Sequence, residues 1–160
     1  MKRTGLYAGV GPILSHYEID VDGLTLTQRE PVRLPANVQG IASHASMPFM
    51  YVATSNRVSY TEVGTDHHLS VLRIDPKTGG ATLQGAPVQL SHRPVHLTTD
   101  SCSEHLLVAY DTPSELQIFR IKGDGTIGER IPQRNGIDWG VFAHQVRVSP
   151  DNQLAILVTR

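Results

Sequence analysis

The chain has 160 residues, enough for one domain with a sizeable core and too few for two comfortable ones. Its 14 Lys and Arg oppose 15 Asp and Glu, giving a net charge of -1 with the eight His neutral, so no general basic field exists to hold nucleic acid or an anionic membrane. A single cysteine, Cys102, excludes an internal disulfide and a cysteine-rich metal scaffold.

In chain order, short apolar runs predict strands at Leu6 to Val10, Leu14 to Ile19, Phe49 to Ala53, Leu69 to Ile74, Leu106 to Tyr110, Leu116 to Ile121, Gln145 to Val148 and Leu154 to Thr159. Between them lie turn sequences such as Asp22-Gly23, Gly79-Gly80, Asp124-Gly125 and Asp151-Asn152, where Gly supplies positive φ and Asp or Asn bonds its own backbone. A helix opening at Ser114 is the main rival, and the period-two alternation from Gln117 to Ile121 favours a strand. The fold class is all-β.

Internal repetition organises these strands. Leu14 to Asp20, Leu69 to Asp75 and Leu116 to Lys122 match one another at spacings of 55 and 47 residues by residue number. Each copy is followed by a glycine turn and another strand, and each later copy is preceded by two more. Four strands in about fifty residues is the arithmetic of a β-propeller blade. The middle strand of a blade is covered on both faces, which explains the unbroken apolar runs at Leu106 to Tyr110 and Ala155 to Thr159. About three blades fit in the chain, whereas closed propellers have roughly four to eight. Residues 1–160 are therefore expected to be the N-terminal part of a single propeller domain of a longer chain.

No phosphate-cradling loop, dinucleotide fingerprint, nucleophile elbow or HExxH sequence is present. Histidine carries more information. Aligned on Thr99-Asp100 and Pro150-Asp151, His96 falls opposite Arg147 and Arg93 opposite His144. That alignment gives adjacent blades one imidazole and one guanidinium each at the start of the innermost strand, beside the central channel. Arg forks onto carboxylate or phosphate, and His titrates near neutrality and serves as a general base. His67 and His68 are expected in a solvated loop, pointing to opposite sides and unable to share a metal. Neither a metal nor a cofactor is expected.

The opening Met1-Lys2-Arg3, the stretch Tyr7-Ala8, the segments His16 to Ile19 and Asp22 to Gln28, then Pro94 to Asp100 and Ala143 to Asn152, resemble the bacterial 6-phosphogluconolactonases of the seven-bladed propeller type. The similarity runs in order over nearly the whole chain and breaks at Ser55 to His68, where this connection is longer than the family pattern. The resemblance implies a cytoplasmic, metal-independent hydrolase that opens a phosphorylated sugar lactone, 6-phosphogluconolactone, in the pentose phosphate pathway. It implies His144 and His96 as the catalytic pair, His144 foremost, with Arg57 and Arg147 as weaker choices for binding substrate, to which the blade alignment adds Arg93. It also implies a full-length monomer with neither nucleic-acid nor membrane partners. Family elements that follow one blade later do not occur in this sequence, so the chain alone is expected to have little activity. A carboxymuconate-type cycloisomerase of the same fold and a non-catalytic binding propeller remain as alternatives.

Overall fold

A computed structural model describes residues 4–57 and 64–160; the opening Met1 to Arg3 and part of the Ser55 to His68 connection fall outside these. The first sheet contains β1 (Thr4–Val10), β2 (Ile13–Asp20), β3 (Thr25–Gln28) and β4 (Val32–Arg33), with β3 and β4 both paired to β2. Gly11, at φ +55°, begins the two-residue turn that joins β1 to β2. In the next turn Asp20 Oδ1 accepts the backbone N–H groups of Asp22 and Gly23 at 3.1 and 2.9 Å.

The second sheet runs β5 (Asn37–Ser43), β6 (Phe49–Ser55), β7 (His67–Ile74) and β8 (Ala81–Leu83), with β9 (Val88–Gln89) also on β7. The third runs β10 (Pro94–Thr99), β11 (His105–Asp111), β12 (Ser114–Ile121) and β13 (Ile127–Ile131). The fourth contains β14 (Ala143–Val148) and β15 (Ala155–Thr159). All pairings are antiparallel, and the segment from Ser114 is strand, not helix. Successive sheets stack as propeller blades, and in the second and third the chain passes from an innermost to an outermost strand. By repeat position, β1 and β2 match the second and third strands of the later blades.

The expected double coverage of middle strands is visible in the core. From β6, Met50 and Val52 enter one cluster with Leu14, Leu34 and Leu72, while Tyr51 and Ala53 enter another with Leu97, Leu106, Val108 and Tyr110. From β11, Leu107 and Ala109 turn the other way, onto Leu116 and Val146. Period-two alternation thus sends each middle strand into two interblade layers, which is why its sequence is apolar throughout. The run at Ala155 to Thr159 departs from this: β15 is largely exposed, since its sheet has two strands and the described residues place no further sheet against it.

Hydrogen bonds between blades repeat as faithfully as the strands do. Tyr7, on β1 opposite His16, donates its hydroxyl to the Gly79 carbonyl at 2.5 Å. Tyr51, at the same place on β6 opposite Val71, donates to the Gly125 carbonyl at 3.0 Å. Both acceptors are glycines at positive φ in the next blade's outer turn. A Cβ on Gly79 would come within 2.7 Å of the His16 ring, and one on Gly125 within 2.3 Å of the Phe49 ring. Each turn glycine is therefore required twice, by its φ and by the aromatic ring it rests on. Burial, and secondarily Asp124, pushes the Tyr51 phenol up to about 12, so it stays a donor throughout the physiological range. At the same ends of the blades, between the turns that join first to second strands, Ser103 Oγ accepts from Ala45 N and Asn152 Oδ1 from Ser101 N, both at 2.8 Å.

Removing the Tyr51 hydroxyl leaves a buried carbonyl without its donor. Tyr51→Phe is expected to lower stability by about 1–2 kcal/mol, and Gly125→Ala by more, because strain at positive φ adds to the clash. Urea unfolding of the purified variants checks both, and wild-type midpoints for the pair would remove the latch from the account.

Candidate functional site

The innermost strands β5, β10 and β14 lie side by side, β10 packing against both others. Each carries a bulge near its start: the pairing register skips Gln39 in β5, Val95 in β10 and His144 in β14. A bulge bends the strand and re-aims a side chain. Here it does so at the same height on three adjacent blades.

This register corrects the sequence alignment. His96 faces Ala109 just after its bulge, as Gly40 faces Ala53 and Gln145 faces Val158. His96 therefore corresponds to Gln145, Arg147 to Thr98, His144 to Val95 and Arg93 to Phe142. The true anchor is Asp100 with Ser149, whose N–H groups close their turns onto the carbonyls of His105 and Leu154. The Pro150-Asp151 anchor lies two residues late. The slip preserves strand parity, but the one-His-one-Arg symmetry between blades does not exist.

His96 and Arg147 line one hollow of about 260 Å³ with Ser43, Thr98 and Thr99. The Val146 N–H points at His96 Nδ1 across 3.4 Å, so in the neutral ring the proton sits on Nε2. Burial, then the charges of Arg147 and His144, pushes the His96 imidazole below its ordinary value and keeps it neutral near pH 7. His144 is exposed on its bulge, with Nε2 accepting from Arg160 at 3.1 Å.

Arg93 precedes β10 and bridges two blades. Its Nε donates to Gln39 Oε1 at 3.1 Å, and its Nη1 lies 4.0 Å from Asp111 Oδ2. Arg57 follows β6, half-buried, and its backbone N–H donates to Ser55 Oγ at 3.0 Å. The structure thus joins His96 and Arg147 in one hollow, brings the charge of His144 to bear on His96, and sets Arg93 and Arg57 near the starts of β10 and β7.

His67 and His68 differ from the expectation of a solvated loop: they are the first two residues of β7. His67 is buried, its Nδ1 2.9 Å from Ser55 Oγ, and its ring also bonds the Gly64 backbone. Asn56 N donates to the Asp66 carbonyl and Asp66 N to Asn56 Oδ1, both at 3.0 Å, so the two ends of the connection are fastened together. Ser55 is fully buried, which fits it for this fastening and not for nucleophilic attack. Gln39 and Asp111 escaped the sequence reading. A glutamine and an aspartate at strand ends carry no local signal, and only the bulge and the blade contact reveal them. Among the described residues no three His, Cys, Asp or Glu side chains cluster as metal ligands, and no helix is long and apolar enough to cross a membrane.

Comparison with known proteins matches residues 4–159 to the family described as Lactonase, 7-bladed beta-propeller. The chain is 28% identical over 127 residues to the 6-phosphogluconolactonase of Pectobacterium atrosepticum, covering 79% of this chain and 34% of that protein. It thus spans about a third of the length of the curated relatives it matches. Among solved structures, a candidate 6-phosphogluconolactonase from Bacteroides uniformis superposes with a TM-score of 0.76 at 16% identity, covering 99% of this chain and 47% of that one. The periplasmic gluconolactonase of Pseudomonas aeruginosa gives 0.68 at 18% identity, covering 97% and 46%.

The lowered His96 value has a stability consequence. Folding favours its neutral form, so its contribution is fully present above the ordinary 6.5 and is lost as pH falls through the folded value. His96→Gln is expected to lose less thermal stability than wild type between neutral and acid pH. An imidazole NMR titration is expected to place the His96 midpoint below 6.5, and one above it would reverse the reading.

Proposed function

The chain belongs to the lactonase family of seven-bladed β-propellers, and from that membership we propose that the protein hydrolyses a sugar lactone, with 6-phosphogluconolactone as substrate. The observation that carries this reading is the family match over residues 4–159, which includes every residue of the candidate site. The active unit in this reading is a complete propeller ring to which these blades contribute.

The chemistry asks for a base, an oxyanion donor and a cation for the substrate's charge. His144 takes the first role: its exposed imidazole removes a proton from water as the water oxygen attacks the ring carbonyl carbon, the water replacing Arg160 at Nε2. The carbonyl electron pair moves to oxygen, and His96 meets that oxyanion with its Nε2–H. With its Nδ1 lone pair facing the Val146 N–H and its proton on Nε2, His96 serves as the electrophile and not as a second base. Collapse breaks the ring C–O bond, and His144 returns its proton to the leaving oxygen. Arg93, Arg147 and Arg57 supply positive charge for the phosphate. The pentose phosphate pathway and the cytoplasm follow from this substrate.

Purified protein with its propeller ring complete is expected to accelerate ring opening of 6-phosphogluconolactone, monitored by acid release, over the spontaneous rate. His144→Ala is expected to reduce kcat roughly a hundredfold, the scale of a lost general base. Absence of acceleration in the wild type would sink the lactonase reading, and turnover of a carboxymuconate instead would replace it with the cycloisomerase. Unchanged kinetics in His144→Ala would move the base elsewhere.

A further inference from the structure

We infer that Asp111 is a positioning residue that, with Gln39, fixes the Arg93 guanidinium so that it faces the anionic group of the substrate. The inference rests on the lactonase reading and adds to it the two residues that hold its phosphate cation in place. Asp111 ends β11, and its side chain is 4% exposed. Its Oδ1 is buried and has no hydrogen-bond partner among the described residues. A carboxylate in that state is costly unless a cation compensates it. Arg93 is the cation in reach: its Nη1 stands 4.0 Å from Oδ2, too far for a hydrogen bond and close enough for strong attraction where water is scarce.

From the neighbouring blade the same guanidinium is held at Nε by Gln39 Oε1, 3.1 Å away. Gln39 occupies the β5 bulge and turns its Nε2 toward the carbonyls of Asn37 and Val38, at 3.2 and 3.4 Å. Its Oε1 therefore has a set direction. Arg93 is gripped at Nε by one blade and drawn at Nη1 by the carboxylate of its own. Its Nη2 donors have no protein partner among the described residues. A planar fork held in this way suits a phosphate or carboxylate. Asp111 itself is too enclosed to reach water or substrate, which separates it from the base.

The test compares Asp111→Asn with wild type on phosphorylated and unphosphorylated gluconolactone. We expect KM for the phosphorylated substrate to rise about tenfold or more with kcat within about twofold, and KM for the unphosphorylated one to hold. Equal losses on both substrates together with a lower unfolding midpoint would mean a purely structural role and overturn the inference, as would unchanged KM. Gln39→Leu, which removes the Nε acceptor, is expected to show the same phosphate-selective KM rise and serves if Asp111→Asn does not fold. Calorimetry with inorganic phosphate separates this inference from the lactonase reading. If wild type binds phosphate, Asp111→Asn binds it more weakly, and no lactone is hydrolysed, Asp111 keeps its role and the lactonase reading falls. If wild type hydrolyses lactone but Asp111→Asn binds phosphate equally well, only the Asp111 inference falls. A wild type that neither binds phosphate nor hydrolyses lactone overturns both.

Discussion

Blade-to-blade docking is the constraint on which the structure depends. A four-stranded sheet has two faces and no core of its own, so it becomes stable only where both faces are covered. The tyrosine hydroxyl of one blade bound to the turn-glycine carbonyl of the next fixes how far apart and at what angle adjacent sheets sit. Tyr7 with Gly79 and Tyr51 with Gly125 repeat this contact, and Ser103 with Ala45 and Asn152 with Ser101 repeat another between the inner turns. The apolar layers supply the stabilisation, whereas these bonds supply its geometry.

The same docking creates the candidate site. Close stacking sets β10 between β5 and β14, close enough that a Cβ on Gly40 would meet Leu97 at 2.6 Å. The bulges then lift Gln39, Val95 and His144 out of the regular alternation at one height. Two of the contacts that define the site cross a blade boundary: Gln39 to Arg93, and Val146 to His96. Blade spacing is therefore also the spacing of the candidate site's groups, and a change in the tyrosine–glycine contact would be felt there.

The strands were readable because their sequences obey a single physical rule. Leu106 to Tyr110 is apolar throughout since both its faces are covered, and Gln117 to Ile121 alternates. The repeat revealed the blade, and segments such as Pro94 to Asp100 and Ala143 to Asn152 carry the resemblance to the family. What stayed hidden was local irregularity. Asn37 to Ser43 contains Gly40 and a bulge, which blur its period, so β5 gave no clear run. The residue-by-residue alignment slips by two positions because Pro150-Asp151 imitates Thr99-Asp100 in a turn that closes from Ser149, which pairs His96 with Arg147 when their true counterparts are Gln145 and Thr98. His67 and His68 looked like solvated polar residues because the hydroxyl that buries His67, from Ser55, lies across a connection with no fixed length in the sequence. Asp111 could not be singled out at all, because its significance depends on Arg93 of the same blade and Gln39 of the preceding one.

The central claim is that His96 and His144 act together on one phosphorylated ligand at the channel. Imidazole NMR of the protein titrated with 6-phosphogluconate, the product of the proposed reaction, tests it most directly. The account predicts that the His96 and His144 signals move together along one saturable curve while the buried His67 signal stays in place. A titration in which neither signal moves, or in which the two follow different curves, would contradict it.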